Sequence, residues 1–136
     1  MAFDLKKNNL AEQSETGYEF ELVYPATGEA VDAFITVRGN ESKVVKNFLR
    51  KRFNENQVLV KKGKKKDDSI TIEEFLDNQI ELAVVKTIGW RGIQVDGVDL
   101  PFTQENAEKI YREHEWIREA VEKESAEIEN FRSGGA

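Results

Sequence analysis

His114 is the only histidine of the chain, so it is the first side chain to test for metal binding or acid–base chemistry. The run from His114 to Arg118 begins like the zinc-protease pattern, in which two histidines one helical turn apart bind the metal. Arg118 stands where the second histidine would have to be. The chain also has no cysteine, which removes thiolate ligands, thiol nucleophiles and disulfides. We therefore expect no metal site and no cofactor.

Several pairs of carboxylates could in principle supply a general acid and a general base. The pairs are Glu73 with Glu74, Asp67 with Asp68, and Asp96 with Asp99. Acid–base catalysis needs one carboxyl group to lose its water, so that its pKa rises toward neutrality. These pairs fall at expected helix starts, loops and turns, where both groups stay solvated. Since no phosphate-binding glycine loop, nucleophile elbow or Ser/His/Asp set is found either, the sequence predicts a protein that is not an enzyme.

Charge is divided unevenly along this chain of 136 residues, whose net charge is −6. Residues 43–66 hold ten basic side chains and one acidic side chain, whereas residues 103–131 hold four basic and nine acidic ones. Such opposed regions attract each other within one molecule or between copies. The basic loop at residues 61–66 has no aromatic side chain to stack on a base, so we expect a solvated loop or a site for an acidic protein, and no nucleic-acid binding. The basic candidates for a protein interaction are Lys43, Lys46, Arg50, Lys51, Lys62, Lys64 and Lys65.

The N-terminal part of the chain indicates an arm followed by a β-hairpin. Residues 1–17 are polar and lack periodicity, so we expect a flexible arm. Large apolar and acidic residues alternate over residues 18–24, which is typical of a half-buried strand, and a second strand follows the turn residues 25–29. We place the antiparallel hairpin at residues 18–38. Because a hairpin is marginally stable alone, helices must pack on it.

Two helices are predicted next, near residues 41–60 and 71–88. Asn40 or Ser42 can cap the first helix, and Thr71 opens the second with a capping box. The apolar stripe of the first helix is Val45, Phe48, Leu49, Phe53 and Val60, and that of the second is Ile72, Phe75, Leu76, Ile80, Ala83, Val84 and Ile88. Each stripe predicts one buried helix face.

A turn-rich connector at residues 89–102 links the second helix to the last one. Gly89 can take the left-handed conformation that ends a helix. The Asp-Gly pair at residues 96–97 predicts a hairpin-type turn, and Thr103 can cap the helix that follows. We expect the two large aromatic side chains of this segment to be buried anchors. The structural anchors are Gly89, Trp90, Gly97, Phe102 and Thr103.

The last helix is predicted over residues 104–131, ahead of a flexible tail at residues 132–136. Its seam consists of Ala107, Ile110, His114, Ile117, Val121, Glu124, Ile128 and Phe131, which are spaced alternately by three and four residues. A seam of this period is either the core face of a helix packed on its own domain or the contact face of a protruding helix that meets another chain. On the second interpretation, the candidates for a protein interaction are His114, Ile117, Val121, Glu124 and Ile128.

Together these elements predict an α+β fold that is predominantly α. An N-terminal β-hairpin packs on about three helices, and a short turn-rich connector precedes a long C-terminal helix, all within a single domain at residues 18–131. No N-terminal apolar run suits a signal peptide, and no segment approaches the roughly 20 apolar residues needed to span a bilayer. We expect a cytoplasmic protein with no membrane partner.

Two blocks of sequence resemble the tail assembly chaperones of long-tailed, lambda-like bacteriophages (siphoviruses). The first block has Thr-Gly-Glu at residues 27–29 and then the strand and helix start at residues 35–42 (ITVRGNES). The second and more specific block comprises residues 89–93 (GWRGI), 96–97 (DG), 100–103 (LPFT), 105–107 (ENA), 110–111 (IY), 116–117 (WI) and 130–131 (NF). The blocks span about residues 17–131. The arm before residue 17 has no counterpart, and the loop at residues 61–66 is more basic than the family pattern.

The resemblance implies a non-enzymatic factor that coats the tape measure protein, keeps this largely helical protein soluble and helps recruit the tail tube protein. It also implies self-association into a ring or spiral, and a frameshift-extended form as a further partner, with this chain as the short form. It places the protein in the cytoplasm of the bacterial host and not in the mature virion. The alternative is a small cytoplasmic adaptor or regulatory domain that binds one protein partner through its C-terminal helix.

Overall fold

Three antiparallel strands in the order β1-β2-β3 and five α-helices form the fold within residues 2–64 and 70–131, the part that the computed structural model describes. The elements are α1 (Leu10–Thr16), β1 (Tyr18–Tyr24), β2 (Glu29–Val37), α2 (Lys43–Lys61), α3 (Ile72–Lys86), β3 (Thr87–Arg91), the short strands β4 (Gln94–Val95) and β5 (Val98–Asp99), α4 (Gln104–Glu113), α5 (Glu115–Ala126) and a terminal 3-10 helix (Ile128–Phe131). The predicted α+β class with mostly helical content is confirmed. The predicted tail at residues 132–136 and Lys65 lie outside the described residues. Within the described ranges, no helix is both long and apolar enough to cross a membrane.

The sheet has one apolar face, and that face meets the helices. β1 buries Phe20 and Leu22, and β2 buries Ala33, Ile35 and Val37, because alternate residues of a strand point to the same side. The helices complete the same core with Ile80, Ala83, Ala107, Ile110, Tyr111, Ile117 and Val121, and the 3-10 helix adds Phe131. The predicted hairpin at residues 18–38 is therefore confirmed.

A third strand, β3, occupies the place of the predicted helix stop at Gly89. The α3 helix ends at Lys86, and Gly89 lies opposite Thr36 in the sheet without a positive φ angle. The prediction of a left-handed Gly89 is therefore wrong. Pairing with β2 satisfies backbone groups that a longer helix would leave unpaired at the sheet edge, and the β-branched Thr87 and Ile88 suit a strand.

Hydroxyl side chains begin three of the helices. Ser42 caps α2, Thr71 caps α3 and Thr103 caps α4, each by accepting a hydrogen bond from a backbone N–H two or three residues later. These N–H groups have no partner inside their own helices, so each cap stabilises a helix start. The predicted caps at Thr71 and Thr103 are confirmed, and of the two candidates for α2 it is Ser42 that serves.

The C-terminal helix is interrupted at His114, so the prediction of one continuous helix over residues 104–131 is wrong. His114 has φ −126° and ψ 81°, which is outside the helical region, and it separates α4 from α5. A straight helix of that length would extend roughly 42 Å. The break allows both halves to pack over one compact core, which takes up Ala107, Ile110, Ile117, Val121 and Phe131 of the seam. The interpretation of a seam packed on its own domain is therefore confirmed.

The predicted flexible arm contains an ordered helix, α1, which docks on the domain. Ser14 is buried, and its carbonyl oxygen accepts a hydrogen bond from the Gly39 N–H at 3.1 Å. The Glu15 carboxylate accepts hydrogen bonds from the Ser42 hydroxyl and, at 3.1 Å, from the Val44 N–H. The prediction of a flexible arm was wrong for this segment, because α1 docks through hydrogen bonds and these leave no apolar periodicity in the sequence.

Acid should weaken the contact between α1 and α2, because Glu15 is its ionised partner. Burial alone raises the pKa of Glu15, but hydrogen bonds from Ser42 and Val44 and the charge of Arg38 outweigh burial and hold the pKa below its ordinary value of 4.5. A group with a lowered pKa contributes stability that is fully present above the ordinary value and is lost as the pH falls from that value through the lowered one. We expect the urea midpoint of the wild type to fall more steeply between about pH 5 and about pH 3 than that of Glu15→Gln. Parallel profiles would contradict this role for Glu15.

A buried pair of hydroxyl groups joins α4 to β3. Tyr111 is fully buried, and burial raises the pKa of its phenol, so the group stays protonated. The Thr87 hydroxyl donates to the carbonyl oxygen of Ala83 at 2.8 Å. Tyr111 is therefore the donor across the 2.6 Å that separate the two hydroxyl oxygens.

Removing the Tyr111 hydroxyl group should lower the free energy of unfolding less than removing the Thr87 hydroxyl group. Tyr111→Phe removes a donor but leaves Thr87 bonded to Ala83, so we expect the free energy of unfolding to fall by about 1 kcal/mol. Thr87→Val leaves the phenol buried without an acceptor, and the loss should reach about 2–3 kcal/mol. Urea unfolding of both variants measures the two losses, and the reverse order would contradict the assignment of donor and acceptor.

Candidate protein-interaction surface

The α2 helix has 19 residues, of which only Val45 is buried. Its predicted apolar stripe continues beyond Val45 but is no longer covered by the core, since Leu49 is 49% exposed and Phe53 is 62% exposed. Val58 and Leu59 in the last turns are exposed as well. The stripe therefore begins in the core and ends in solvent.

The α3 helix repeats this arrangement in the opposite direction. Ile80 and Ala83 in its second half are fully buried. Toward its start, Leu76, Phe75 and Ile72 are 38%, 53% and 88% exposed. Because these five residues are spaced by helical turns, they lie on one face. The face of α3 that packs in the core therefore continues beyond the core, where the described part of the chain leaves it exposed.

The second half of α2 and the first half of α3 lie side by side and form a projection, the hairpin tip, at residues 49–64 and 70–77. Arg52 of α2 pairs with Glu81 of α3, and its guanidinium lies 5.3 Å from the centre of the Phe48 ring. Of the eighteen large hydrophobic side chains that are exposed within the described residues, eight belong to the hairpin tip. A concentration of exposed apolar surface of this kind is typical of an interaction site.

The hairpin tip carries different charges on its two faces. An outer groove runs along α2 and is lined by Asn47, Arg50, Lys51, Asn54, Glu55, Val58, Leu59, Lys62 and Lys64. The cleft between α2 and α3 instead contains Glu55, Glu74, Asp77 and Glu81 around the apolar Phe53, Leu59 and Ile70, with Arg52 as its cation. The outer groove is therefore basic, and the inner cleft is acidic.

The predicted basic residues divide between two places on α2. Those that are described are all exposed, namely Lys43, Lys46, Arg50, Lys51, Lys62 and Lys64. The structure brings Arg50, Lys51, Lys62 and Lys64 together in the outer groove. Lys43 and Lys46 lie nearer the start of the helix, where Lys46 forms an ion pair with Glu41 at 2.8 Å.

The predicted contact face on the C-terminal seam is only partly at the surface. Ile117 is 7% exposed and Val121 is fully buried, so their prediction as interaction residues is wrong: the core needs them. His114 is exposed between α4 and α5, and Ile128 is 60% exposed. Glu124 is half-buried and accepts a hydrogen bond from the Asn130 side chain at 2.7 Å. Of the five predicted seam residues, His114 and Ile128 are therefore the ones exposed to a partner.

The predicted anchors of the connector hold α4 against the sheet. The Trp90 ring packs edge-on at 5.0 Å from Phe102, and its indole N–H donates to the Leu100 carbonyl oxygen at 2.8 Å. Gly97 has φ 79° and Asp96 has φ 52°, which are the left-handed values that a tight hairpin turn needs. The predicted turn is confirmed, and both aromatic side chains pack against the core, although they are half-buried and not buried as predicted.

The buried titratable groups within the described residues do not line the outer groove or the cleft between α2 and α3. Lys86 is buried, and burial lowers its pKa while the charge of Glu122 raises it. We assign this pair to the packing of α3 on α5. Within residues 2–64 and 70–131, no group of three His, Cys, Asp or Glu residues could hold a metal ion.

The exposed apolar residues of the hairpin tip are candidates that the sequence did not identify as functional. Leu49, Phe53 and Phe75 sit on stripes that predict burial when they are considered alone. A usable signal is the run of three basic residues at 50–52. Since successive helical residues differ by about 100° around the axis, these three occupy most of one turn and leave little of it for a core.

A comparison with protein families places the hairpin tip inside a matched region. A family model described as YdaY prophage protein matches residues 43–135, which is more than half of the chain. The match begins at the first residue of α2 and includes α3, α4 and α5. No curated protein and no solved structure matches the chain.

Proposed function

We propose, from the premise that the chain belongs to the YdaY prophage protein family, that it is a non-enzymatic tail assembly chaperone of a long-tailed, lambda-like phage. The family match shows a phage-derived protein. The two sequence blocks at residues 27–42 and 89–131 support the narrower assignment, because they resemble those of tail assembly chaperones.

The observation that carries the proposal is the pair of apolar stripes that leave the core at the hairpin tip. Side chains such as Phe53 and Phe75 remain more than half exposed on an otherwise well-packed domain. A chaperone needs such a surface, because an aggregation-prone helical client presents apolar faces that must be covered until assembly.

The client in this proposal is the tape measure protein, which many copies of the chaperone coat and keep soluble while tail tube protein is recruited. Many weak contacts along one long client retain the coat through multivalency rather than through one tight site. Copies associate with one another in a ring or spiral, since head-to-tail contacts produce such assemblies. They also associate with a frameshift-extended form of the same protein. The chaperone acts in the cytoplasm of the bacterial host and is absent from the mature virion.

Co-expression with the tape measure protein of the same prophage tests this function. We expect the wild type to increase the soluble fraction of the tape measure protein several-fold and to co-purify with it. The double variant Phe53→Asp/Phe75→Asp should lose both effects, because two charges interrupt the apolar surface. Val98→Asp is the matched control, since Val98 is 69% exposed on β5, away from the hairpin tip.

The stability of the variants must be measured alongside, and changes at exposed sites should stay within about 0.5 kcal/mol. A folded double variant that solubilises the client as well as the wild type would remove the hairpin tip from the proposal. A wild type that neither solubilises nor co-purifies with the tape measure protein would refute the chaperone function itself.

A further inference from the structure

The outer groove of α2 has an apolar floor and a basic rim. Val58 and Leu59 form the floor, and Arg50, Lys51, Lys62 and Lys64 surround it, with Glu55 as the one acidic side chain among the described residues that line it. The groove extends from Asn47 to Lys64, and its helical part, residues 47–61, corresponds to about four turns or roughly 21 Å.

Within the described residues, none of the four rim cations forms an ion pair with an acidic side chain. The guanidinium of Arg50 lies 3.4 Å from the neutral Asn47 side chain. Other cations of the domain are paired, such as Arg91 with Glu19 at 2.9 Å and Arg112 with Asp77 at 3.0 Å. The rim charges are therefore available to a partner.

We infer that the outer groove binds an acidic amphipathic helix, with the apolar face of the helix on Val58 and Leu59 and its acidic flanks on the basic rim. This inference rests on the proposed function: it gives the chemistry of a client segment that binds the outer groove, beside the apolar surface of Phe53 and Phe75. The acidic cleft between α2 and α3 disfavours the same helix, so the charge difference between the two faces selects the side of the hairpin tip to which it binds.

The shape of the groove favours a helix over an extended strand. The wall is itself a helix, whose backbone groups are bonded internally, so it offers no edge for strand pairing. Its side chains form ridges spaced by three and four residues, and such ridges accept those of a second helix. Nucleic acid fits less well, because none of the described residues that line the groove is an aromatic one on which a base could stack.

Fluorescence anisotropy with two labelled peptides tests the inference on the full chain. Both peptides are designed helices of about 20 residues with the same leucine face, and their flanks carry glutamate in one and lysine in the other. We expect the glutamate peptide to bind about tenfold tighter than the lysine peptide at low salt, because two or three exposed ion pairs together account for such a difference. Salt should reduce the preference, since exposed charges are screened.

Charge reversal in the groove supplies the matched comparison. Arg50→Glu/Lys51→Glu should abolish or reverse the preference for the glutamate peptide. Lys43→Glu/Lys46→Glu makes the same change of charge on the same helix but outside the groove, and should retain the preference. Acidic residues near a helix start also favour the helix, so the control variant should fold normally.

The outcomes separate this inference from the proposed function. Equal binding of the two peptides, or an equal effect of both charge reversals, would overturn the inference while co-expression still reports on the chaperone function. Tighter binding of a single-stranded oligonucleotide, lost in Arg50→Glu/Lys51→Glu, would overturn it in favour of a nucleic-acid site. If neither peptide binds although the wild type solubilises the tape measure protein, the groove is not the client site, and the function stands without it.

Discussion

Val121→Asp is expected to unfold the protein in buffer at room temperature. Val121 is fully buried in α5, within the core that the helices share with the sheet. Burying an ionised carboxylate among apolar side chains costs several kcal/mol, which is comparable to the whole stability of about 5–15 kcal/mol of a typical domain. Far-ultraviolet circular dichroism and urea titration measure the loss.

The matched control for this prediction is Ile128→Asp, at another position of the same sequence seam. Ile128 is 60% exposed, so the aspartate stays in water and the free energy of unfolding should change by no more than about 0.5 kcal/mol. A Val121→Asp protein that folds normally would mean that the seam is a surface. Two unfolded variants would mean that the exposed end of the seam is also needed for the core.

Gly92→Ala should be the second most damaging of the single substitutions considered. Gly92 has φ 80°, and a Cβ atom there would lie 2.5 Å from the Asp32 carbonyl oxygen and 3.1 Å from the Ala33 Cα. Both neighbours belong to the backbone of β2, so neither can rotate away. The left-handed conformation costs alanine about 1–2 kcal/mol, and the overlap adds about 1–3 kcal/mol. The total loss in free energy of unfolding should therefore be about 2–5 kcal/mol.

Two other glycines separate the two contributions to this loss. Gly97 has φ 79° with no atom near an added Cβ, so Gly97→Ala should cost only the conformational part, about 1–2 kcal/mol. Gly89 has neither a positive φ nor a close neighbour, so Gly89→Ala should change stability by less than about 0.5 kcal/mol. Equal effects of all three substitutions in urea titrations would contradict the proposed overlap at Gly92.

Local signals in the sequence predict much of the fold correctly. The caps at Thr71 and Thr103, the Asp-Gly turn at residues 96–97 and the hairpin at residues 18–38 all depend on neighbours within a few positions. Their hydrogen bonds and φ angles are therefore encoded where they form.

The errors occur where distant segments decide the structure. Gly89 lies in a strand because β2 offers an edge to pair with, and β2 lies about fifty positions earlier in the chain. The break at His114 leaves the apolar spacing intact, so a seam with alternating spacings of three and four residues could not reveal it. The α1 helix is held by Glu15 and Ser14 through bonds to the start of α2 and to Gly39, which no local pattern shows.

The candidate site could be predicted in its charges but not in its apolar surface. Exposed lysines and arginines on α2 follow directly from the sequence, because charged side chains seldom lie in a core. Whether Phe53 or Phe75 is buried depends on how far the core reaches along α2 and α3. The core ends near Val45 and Ile80, and only the packing of the sheet and helices sets that limit.

The edge-on packing of Trp90 on Phe102 also determines what spectroscopy can detect. The chain has two tryptophans, and the second, Trp116, packs on Tyr24 at 5.5 Å. Both lie outside the hairpin tip, in the rest of the domain (the body), so intrinsic fluorescence reports the unfolding of the body and not that of the hairpin tip. Circular dichroism detects the helical content of the body and of the hairpin tip together. If the fluorescence and dichroism transitions fail to coincide, the hairpin tip melts as a separate unit, and a tryptophan placed at Phe53 would follow that unit alone.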